Sequence, residues 1–163
     1  MKNRSVAGLF VVHLIAIIAV IVNLLHFKNT KFLQILPMFD LMVIFYFAVY
    51  RPIFSLWFLF LLGFWSDAIL GNAAGITTFL NIFLVKFFLL LNERIISRDN
   101  LVHIWYQFSI FAAIFLLIKW FILSVFYNDF YNIFWPLMHW MIASIFYVIM
   151  HKVFDFLSLK FFK

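Results

Sequence analysis

Hydrophobic residues run along this chain in six long stretches, and a short polar segment separates most of them. An apolar run of about 18 residues or more is long enough for a helix that crosses a membrane. The pattern therefore predicts six transmembrane helices. Pro52 sets one boundary, because proline disfavours helix in the residue before it. The predicted spans cover residues 6–25, 32–50, 53–70, 74–91, 101–127 and 133–153.

Composition agrees with this pattern, since 68% of the 163 residues are hydrophobic and 11% are charged. An average soluble domain has about 25% charged residues. We therefore predict an all-α integral membrane protein that forms one polytopic domain over residues 1–163, with membrane lipids against its surface. The basic start also fits a signal peptide, but no small-x-small cleavage site precedes Asn23, so we expect a retained first helix. The absence of cysteine excludes disulfides and thiolate chemistry.

The basic residues indicate how the spans are oriented. Six spans place both chain ends on one side, and cytoplasmic segments carry the excess of Lys and Arg. With both ends in the cytoplasm, that side holds eight basic residues and the opposite side holds two, which predicts an N-in, C-in topology. We interpret the net charge of +6 in this way, and not as affinity for nucleic acid. The eight are Lys2, Arg4, Arg51, Arg94, Arg98, Lys152, Lys160 and Lys163, and the two are Lys28 and Lys31.

A stripe of small residues and one acid recurs at every fourth position around the end of the third span. On a helix, each step of four turns by only about 40°, so such residues share a face. Glycines let another helix come close, and an acid at membrane depth must face protein or water. We expect the helix to end near Gly71, and Asn72, Thr77 or Thr78 to cap the next one. The stripe, a candidate partner or packing interface, consists of Gly63, Asp67, Gly71 and Gly75.

Ionisable residues within the spans are the second candidate site. Four of them, on four different helices, fall in the outer third of the predicted spans: Asp40, Asp67, Lys119 and His139. They form either an intramembrane polar cluster that binds a solute, relays protons or recognises a partner, or separate shallow groups that reach the headgroups. Lys86 lies apart from them, on the inner half of the fourth span, with Glu93 seven residues further on.

Signals for catalysis or for metal binding are absent from the sequence. There is no phosphate-binding glycine loop, no supported Ser/His/Asp set and no His-Glu-x-x-His helix. We judge that no His shares a metal-ligand spacing with Asp or Glu; the residues considered are His13, His26, His103 and His151. We therefore expect no enzyme activity, no metal and no cofactor.

The stripe resembles a family motif when it is read together with the residues before it. Pro37 lies in the first turns of the second predicted span, Tyr46 lies near its end, and Pro52 follows. The pattern Gly-x-x-x-Asp-x-x-x-Gly-x-x-x-Gly, from Gly63 to Gly75, comes next. This order and spacing, over about a quarter of the chain, resemble the rod shape-determining MreD family of bacteria. The chain departs from the pattern at Asp40, where an apolar residue is expected.

The resemblance implies a non-enzymatic scaffold in the bacterial inner membrane, as a component of the cell-elongation (Rod) complex that maintains rod shape and lateral cell-wall synthesis. The implied partners are MreC, the cytoskeletal MreB, and the elongation glycosyltransferase and transpeptidase of peptidoglycan synthesis. The implied fold is similar to the substrate-binding subunit of energy-coupling-factor transporters.

A small-solute-binding membrane subunit of a transporter is the alternative function, because the two classes share a fold. A transport subunit should enclose an outer cavity lined by aromatic and polar groups. A scaffold should expose its small-residue stripe in a groove open to lipid or to a partner.

Overall fold

The computed structural model describes residues 6–25, 37–70, 75–95, 100–128, 130 and 132–161, and over these residues the chain is all-α. The prediction of six helices is confirmed, and α1 and α5 have the predicted bounds. The six helices of the described residues are α1 (Val6–Leu25), α2 (Phe39–Tyr50), α3 (Leu56–Leu70), α4 (Ile76–Ile95), α5 (Leu101–Tyr127) and α6 (Phe134–Phe161).

Several helix ends differ from the prediction. Pro37 and Met38 precede α2, so the prediction that Pro37 lies in the first turns of that helix is wrong. The predicted residues 32–36 lie outside the described part of the chain. At their other ends, α4 and α6 continue to Ile95 and Phe161, past the predicted ends at 91 and 153.

The start of α3 lies three residues after its predicted position, because Ser55 caps the helix. The Ser55 hydroxyl accepts the backbone N–H of Phe58 at 3.2 Å, and the Ser55 carbonyl accepts that of Leu59 at 3.1 Å. A serine that satisfies the free N–H groups of a first turn is a preferred N-cap. The chain between Pro52 and Ser55 therefore turns before α3 begins.

The centre of the fold is α2. It is α-helical over Phe39–Ile44 and π-helical over Phe45–Tyr50. Residues 41–49 are all apolar or aromatic, and none of them is more than 2% exposed. Helices α1, α4, α5 and α6 all contact α2. A helix that is apolar all round is buried all round, which explains why this element, rather than the glycine-rich one, occupies the middle.

Aromatic rings fill the space around α2. Phe45 packs against Phe88 of α4, Phe108 and Phe111 of α5, and Tyr147 of α6, with ring centroids 5.3–6.4 Å apart. Phe108 and Tyr147 also stack on each other at 3.9 Å. Most of these pairs have the edge-to-face or offset geometry that aromatic rings prefer.

Outside the contacts of α2, two pairs of helices pack closely: α3 with α4, and α5 with α6. Two tryptophans form reciprocal hydrogen bonds between α5 and α6. Trp105 Nε1 donates to the carbonyl of Ser144 at 2.8 Å, and Trp140 Nε1 donates to the carbonyl of Ser109 at 2.9 Å. The two serine hydroxyls lie 3.3 Å apart between them.

The outer surface of the bundle is apolar. Large hydrophobic side chains are exposed on α1, α3, α4, α5 and α6, among them Trp57 at 78% and Leu90 at 70%. Among the described residues, α5 and α6 are the two helices long and apolar enough to cross a membrane. The four other helices contain shorter apolar segments: Gly8–Asn23, Phe39–Tyr50, Leu56–Ile69 and Ile76–Leu91.

Candidate functional site

Asp67 joins the end of α3 to the start of α4. Its side chain is 0% exposed, and its Oδ2 accepts the backbone N–H groups of Gly75 at 3.0 Å and Thr77 at 2.9 Å. The first N–H groups of a helix have no partner within the helix and form its positive end. A carboxylate from the preceding helix therefore caps α4. We call Gly63, Asp67, Gly75, Thr77 and Thr78 the α3–α4 joint.

The predicted caps of α4 are corrected by this arrangement. Because α4 begins at Ile76, Thr77 and Thr78 lie inside its first turn, and the described hydrogen bonds give neither hydroxyl a capping role. Asn72 lies outside the described residues.

Gly63 is the point of closest approach between α3 and α4. A Cβ atom at this position would lie 2.6 Å from Thr78 Cα and 2.8 Å from Thr78 N, closer than real side chains come to a backbone. The glycine is therefore required by packing within the chain. It is also buried, so it offers no surface to a partner.

The other two glycines of the stripe have different positions. Gly75 precedes α4 with φ of +103°, a conformation that residues with a side chain rarely adopt. An added Cβ atom there would meet nothing within 4 Å, so Gly75 is required for its backbone conformation and not for space. Gly71 lies outside the described residues.

The predicted polar cluster is brought together in part. Lys119 interacts electrostatically with both carboxylates, Asp40 first and Asp67 second, and its Nζ lies 5.7 Å from the centre of the Phe115 ring. No ion pair within 4 Å joins Lys119 to either acid in the described structure. His139 is half-buried near the start of α6.

Asp40 has a partner that sequence reasoning missed. Its Oδ1 accepts a hydrogen bond from the side-chain amide of Asn23 on α1, and the backbone N–H of Leu41 lies 2.7 Å from the same oxygen. The carboxylate sits in the first turn of α2, where the helix dipole favours a negative charge. These contacts offset part of the cost of burying an acid at this position.

A second polar cluster, centred on Asp155 of α6, connects α6 to the end of α2. The Tyr46 hydroxyl donates to Asp155 Oδ1, and Arg51 Nη2 lies 3.8 Å from the same oxygen. His151 Nε2 lies 3.3 Å from Asp155 Oδ2, and His151 Nδ1 shares a 3.2 Å hydrogen bond with the Tyr147 hydroxyl. We call Tyr46, Arg51, Tyr147, His151 and Asp155 the Asp155 cluster.

The π-helical segment of α2 explains how Tyr46 and Arg51 reach one carboxylate. The backbone N–H of Arg51 donates to the carbonyl of Tyr46 at 2.7 Å, the five-residue spacing of a π-helix. In an α-helix, residues five apart point about 140° away from each other. One wider turn brings both side chains round to Asp155.

Comparisons with protein-family models, with curated proteins and with solved structures find no match to this chain. The resemblance based on residues 37 to 75 therefore stays a prediction.

One part of the Asp155 cluster was detectable in the sequence, namely the four-residue spacing of His151 and Asp155. The judgement that no His shares a ligand spacing with an acid is wrong for His151, which lies four residues before Asp155 on one helix face. The two ring nitrogens of His151 face the Tyr147 hydroxyl and the Asp155 carboxylate, which indicates a structural role. The described residues contain no group of three His, Cys, Asp or Glu side chains that could hold a metal ion.

The remaining motif residues also have structural positions. Pro37 lies just before α2, and Pro52 follows its last residue, Tyr50. The backbone N–H groups of Ile53 and Phe54 then bond to the carbonyl of Phe47, at 2.8 and 3.1 Å. Pro37 and Pro52 thus flank the central helix, Tyr46 connects it to α6, and Gly63 and Asp67 hold α3 against α4.

Proposed function

We propose that the chain is a multi-pass protein of the bacterial inner membrane, with six spans and both termini in the cytoplasm. The support is the exposed apolar surface, which extends over every outer helix. The largest apolar patch on a soluble monomer is only about 300–600 Å². At about 1.5 Å per residue, α1 and α4 are each about 30 Å long, the thickness of a bilayer core.

Within that membrane, the chain serves as a non-enzymatic scaffold of the cell-elongation machinery, in the manner of MreD. One observation carries this proposal: the described residues on which the resemblance rests take part in the packing of this fold. Asp67 caps α4, and Gly63 lets α3 approach the backbone of Thr78. At Gly63 the structure contradicts the expectation that a scaffold exposes its small-residue stripe, and the motif instead specifies how the helices of the proposed scaffold pack.

The proposed partners are those of the family: MreC, MreB and the elongation glycosyltransferase and transpeptidase. Since Gly63 and Asp67 are buried within the chain, these partners would bind the outer helix faces and not these two residues of the stripe.

Solute transport has less support from the geometry. The interior of the bundle, where a solute cavity would lie, is filled by α2 and the rings around Phe45. A cleft of about 200 Å³ between α5 and α6 lacks the polar lining expected for a solute site. It is lined by Ala113, Leu116, Leu117, Pro136, Leu137 and Trp140.

Complementation tests the scaffold function. A rod-shaped bacterium depleted of its own MreD should regain rod shape, and recruit MreC to the lateral membrane, when it expresses this chain. Gly63→Leu should fail, and Phe64→Leu, a change at the exposed neighbouring position, should succeed. Round cells with the wild-type chain inserted in the membrane at normal levels would refute the proposal.

Reporter fusions test the topology separately. A reporter that works only in the cytoplasm should be active when it is fused to the C-terminus. Activity of a periplasm-dependent reporter at that position would overturn the N-in, C-in arrangement without bearing on the scaffold function.

A further inference from the structure

The outward face of α4 carries a stripe with the spacing of a helix-packing seam. Phe79, Phe83, Lys86 and Leu90 follow one another at steps of four, three and four, and all four side chains are exposed. Phe79 and Phe83 stack with their ring centroids 5.7 Å apart and their planes within 12°. The alternation of three and four is the spacing at which two helices interlock side by side.

Lys86 is the one charged residue among these four. It is residue 11 of the 20 in α4, which puts it about 15 Å from the start of the helix. In a bilayer core of about 30 Å, this position lies on the inner half, about 8 Å before the end of the apolar segment Ile76–Leu91. Lysines close to helix ends reach the headgroups with their side chains, but Lys86 is far from both ends.

The part of the chain that the structure describes provides no partner for Lys86. In the described structure, the ammonium takes part in no ion pair, hydrogen bond or aromatic-ring contact. Glu93 begins about 10 Å further along the helix, and its side chain lies outside the described residues. Lys119, by contrast, interacts with two carboxylates and with Phe115. An isolated charge within a membrane helix is costly, and such charges almost always face protein or water.

We propose that the Phe79–Phe83–Lys86–Leu90 stripe docks a transmembrane helix of another protein that carries a carboxylate at membrane depth, which pairs with Lys86. The inference rests on the membrane placement given above, and it locates a partner surface for the scaffold. The apolar residues on either side of Lys86 supply the packing, and the charge selects the partner and fixes its register.

A second copy of this chain does not fit the stripe. Two copies that packed through the same face would bring Lys86 towards Lys86, and like charges repel. The three Asp carboxylates that the structure describes are also occupied. Asp67 caps α4, Asp40 bonds to Asn23, and Asp155 bonds to Tyr46.

The test uses the full chain in phosphatidylcholine vesicles and a synthetic probe helix. The probe is a leucine-rich peptide of about 20 residues with one central Glu, and its matched control carries Gln instead. Energy transfer between labels on the protein and the peptide measures binding. The Glu peptide should bind about 3- to 20-fold more tightly than the Gln peptide, the range of measured interhelical hydrogen bonds in membranes.

Three variants connect the preference to Lys86. Lys86→Met should abolish the difference between the two peptides, and Lys152→Met, at an exposed lysine on α6, should retain it. Lys86→Glu should reverse the preference, so that a peptide with a central Lys binds best. Equal binding of the Glu and Gln peptides to the wild-type chain, or a preference that survives Lys86→Met, would overturn the proposal.

Two further outcomes separate this inference from its premise. If the chain resists extraction from the vesicles by alkaline carbonate but shows no Glu preference, the docking proposal fails and the membrane placement stands. If the chain is extracted, both fail. A lipid phosphate would be the partner if Lys86→Met instead reduced only the association with phosphatidylglycerol in mixed vesicles, and this result would also overturn helix docking.

Discussion

The α3–α4 joint and the Asp155 cluster both place a carboxylate between helices, but they hold it in different ways. In the joint, Asp67 is fully buried and accepts two backbone N–H groups of the next helix. In the cluster, the Asp155 side chain is 34% exposed and is surrounded by side chains. The joint stabilises the start of one helix, and the cluster connects two helices that are distant in sequence.

This difference affects how each region should respond to mutation. The joint combines a steric limit at Gly63 with hydrogen bonds to backbone groups, and neither can be replaced by a neighbouring side chain. The Asp155 cluster distributes its contacts over several side chains, so the loss of one leaves the others in place. We therefore expect mutations in the joint to cost more stability than mutations in the cluster.

Gly63→Leu should have the largest effect. Even the first side-chain atom would lie 2.6 Å from Thr78 Cα, so α3 and α4 must separate. Overpacking costs about 1–3 kcal/mol, and a clash with backbone belongs at the upper end of that range. The unfolding midpoint in detergent micelles measures the loss, with Phe64→Leu as the control. A midpoint equal to that of the wild-type chain would contradict the close approach of the two helices.

Asp67→Ala should rank second, with a loss of about 1–2 kcal/mol, because two N–H groups at the start of α4 lose their acceptor. Asp67→Asn retains one acceptor oxygen and should lose less. The same unfolding assay ranks the two variants. If Asn were as harmful as Ala, the charge of Asp67, and its interaction with Lys119, would contribute more than the cap.

The joint could be predicted from sequence to a greater extent than the cluster, for a physical reason. Asp67 is eight and ten positions away from its partners Gly75 and Thr77, so a helix, a turn and a second helix bring them together. Tyr46 and Asp155 are 109 positions apart. Only the packing of α2 against α6 makes them neighbours, and no periodicity within either helix indicates that contact.

The number of helices was predictable for the same reason, because each apolar run is a local pattern. The central place of α2 was not identified, although residues 41–49 are apolar or aromatic at every position, which is the pattern of a helix buried on all sides. The π-helical turn was not predictable, since Phe45–Tyr50 contains no residue type that distinguishes it from an α-helix. Its effect is that the side chains of Tyr46 and Arg51 both reach Asp155, and only the three-dimensional structure shows this.

Tyr46→Phe should cost less than either joint mutation, about 0.6–1.7 kcal/mol, the range for interhelical hydrogen bonds in membranes. The ring remains and keeps its packing against Phe47 and Phe154, so only the hydroxyl contacts with Asp155 and, at 3.4 Å, with the Ser158 hydroxyl are lost. A double-mutant cycle with Asp155→Ala isolates the contact with Asp155. Strict additivity of the two mutations would show that the hydroxyl does not stabilise the tie between α2 and α6.

Arg51→Met should have the smallest effect and marks the lower limit of the comparison. The Arg51 and Asp155 side chains are 39% and 34% exposed, and the closest atoms are 3.8 Å apart. Exposed ion pairs of this kind contribute about 0.2–1 kcal/mol, and salt screens them. The unfolding midpoint should therefore shift slightly at low salt and not at all at high salt. For the control Lys152→Met, the midpoint should not shift at either salt concentration. A large loss that persists at high salt would mean that Arg51 fixes the π-helical turn itself, and the cluster would then match the joint in importance.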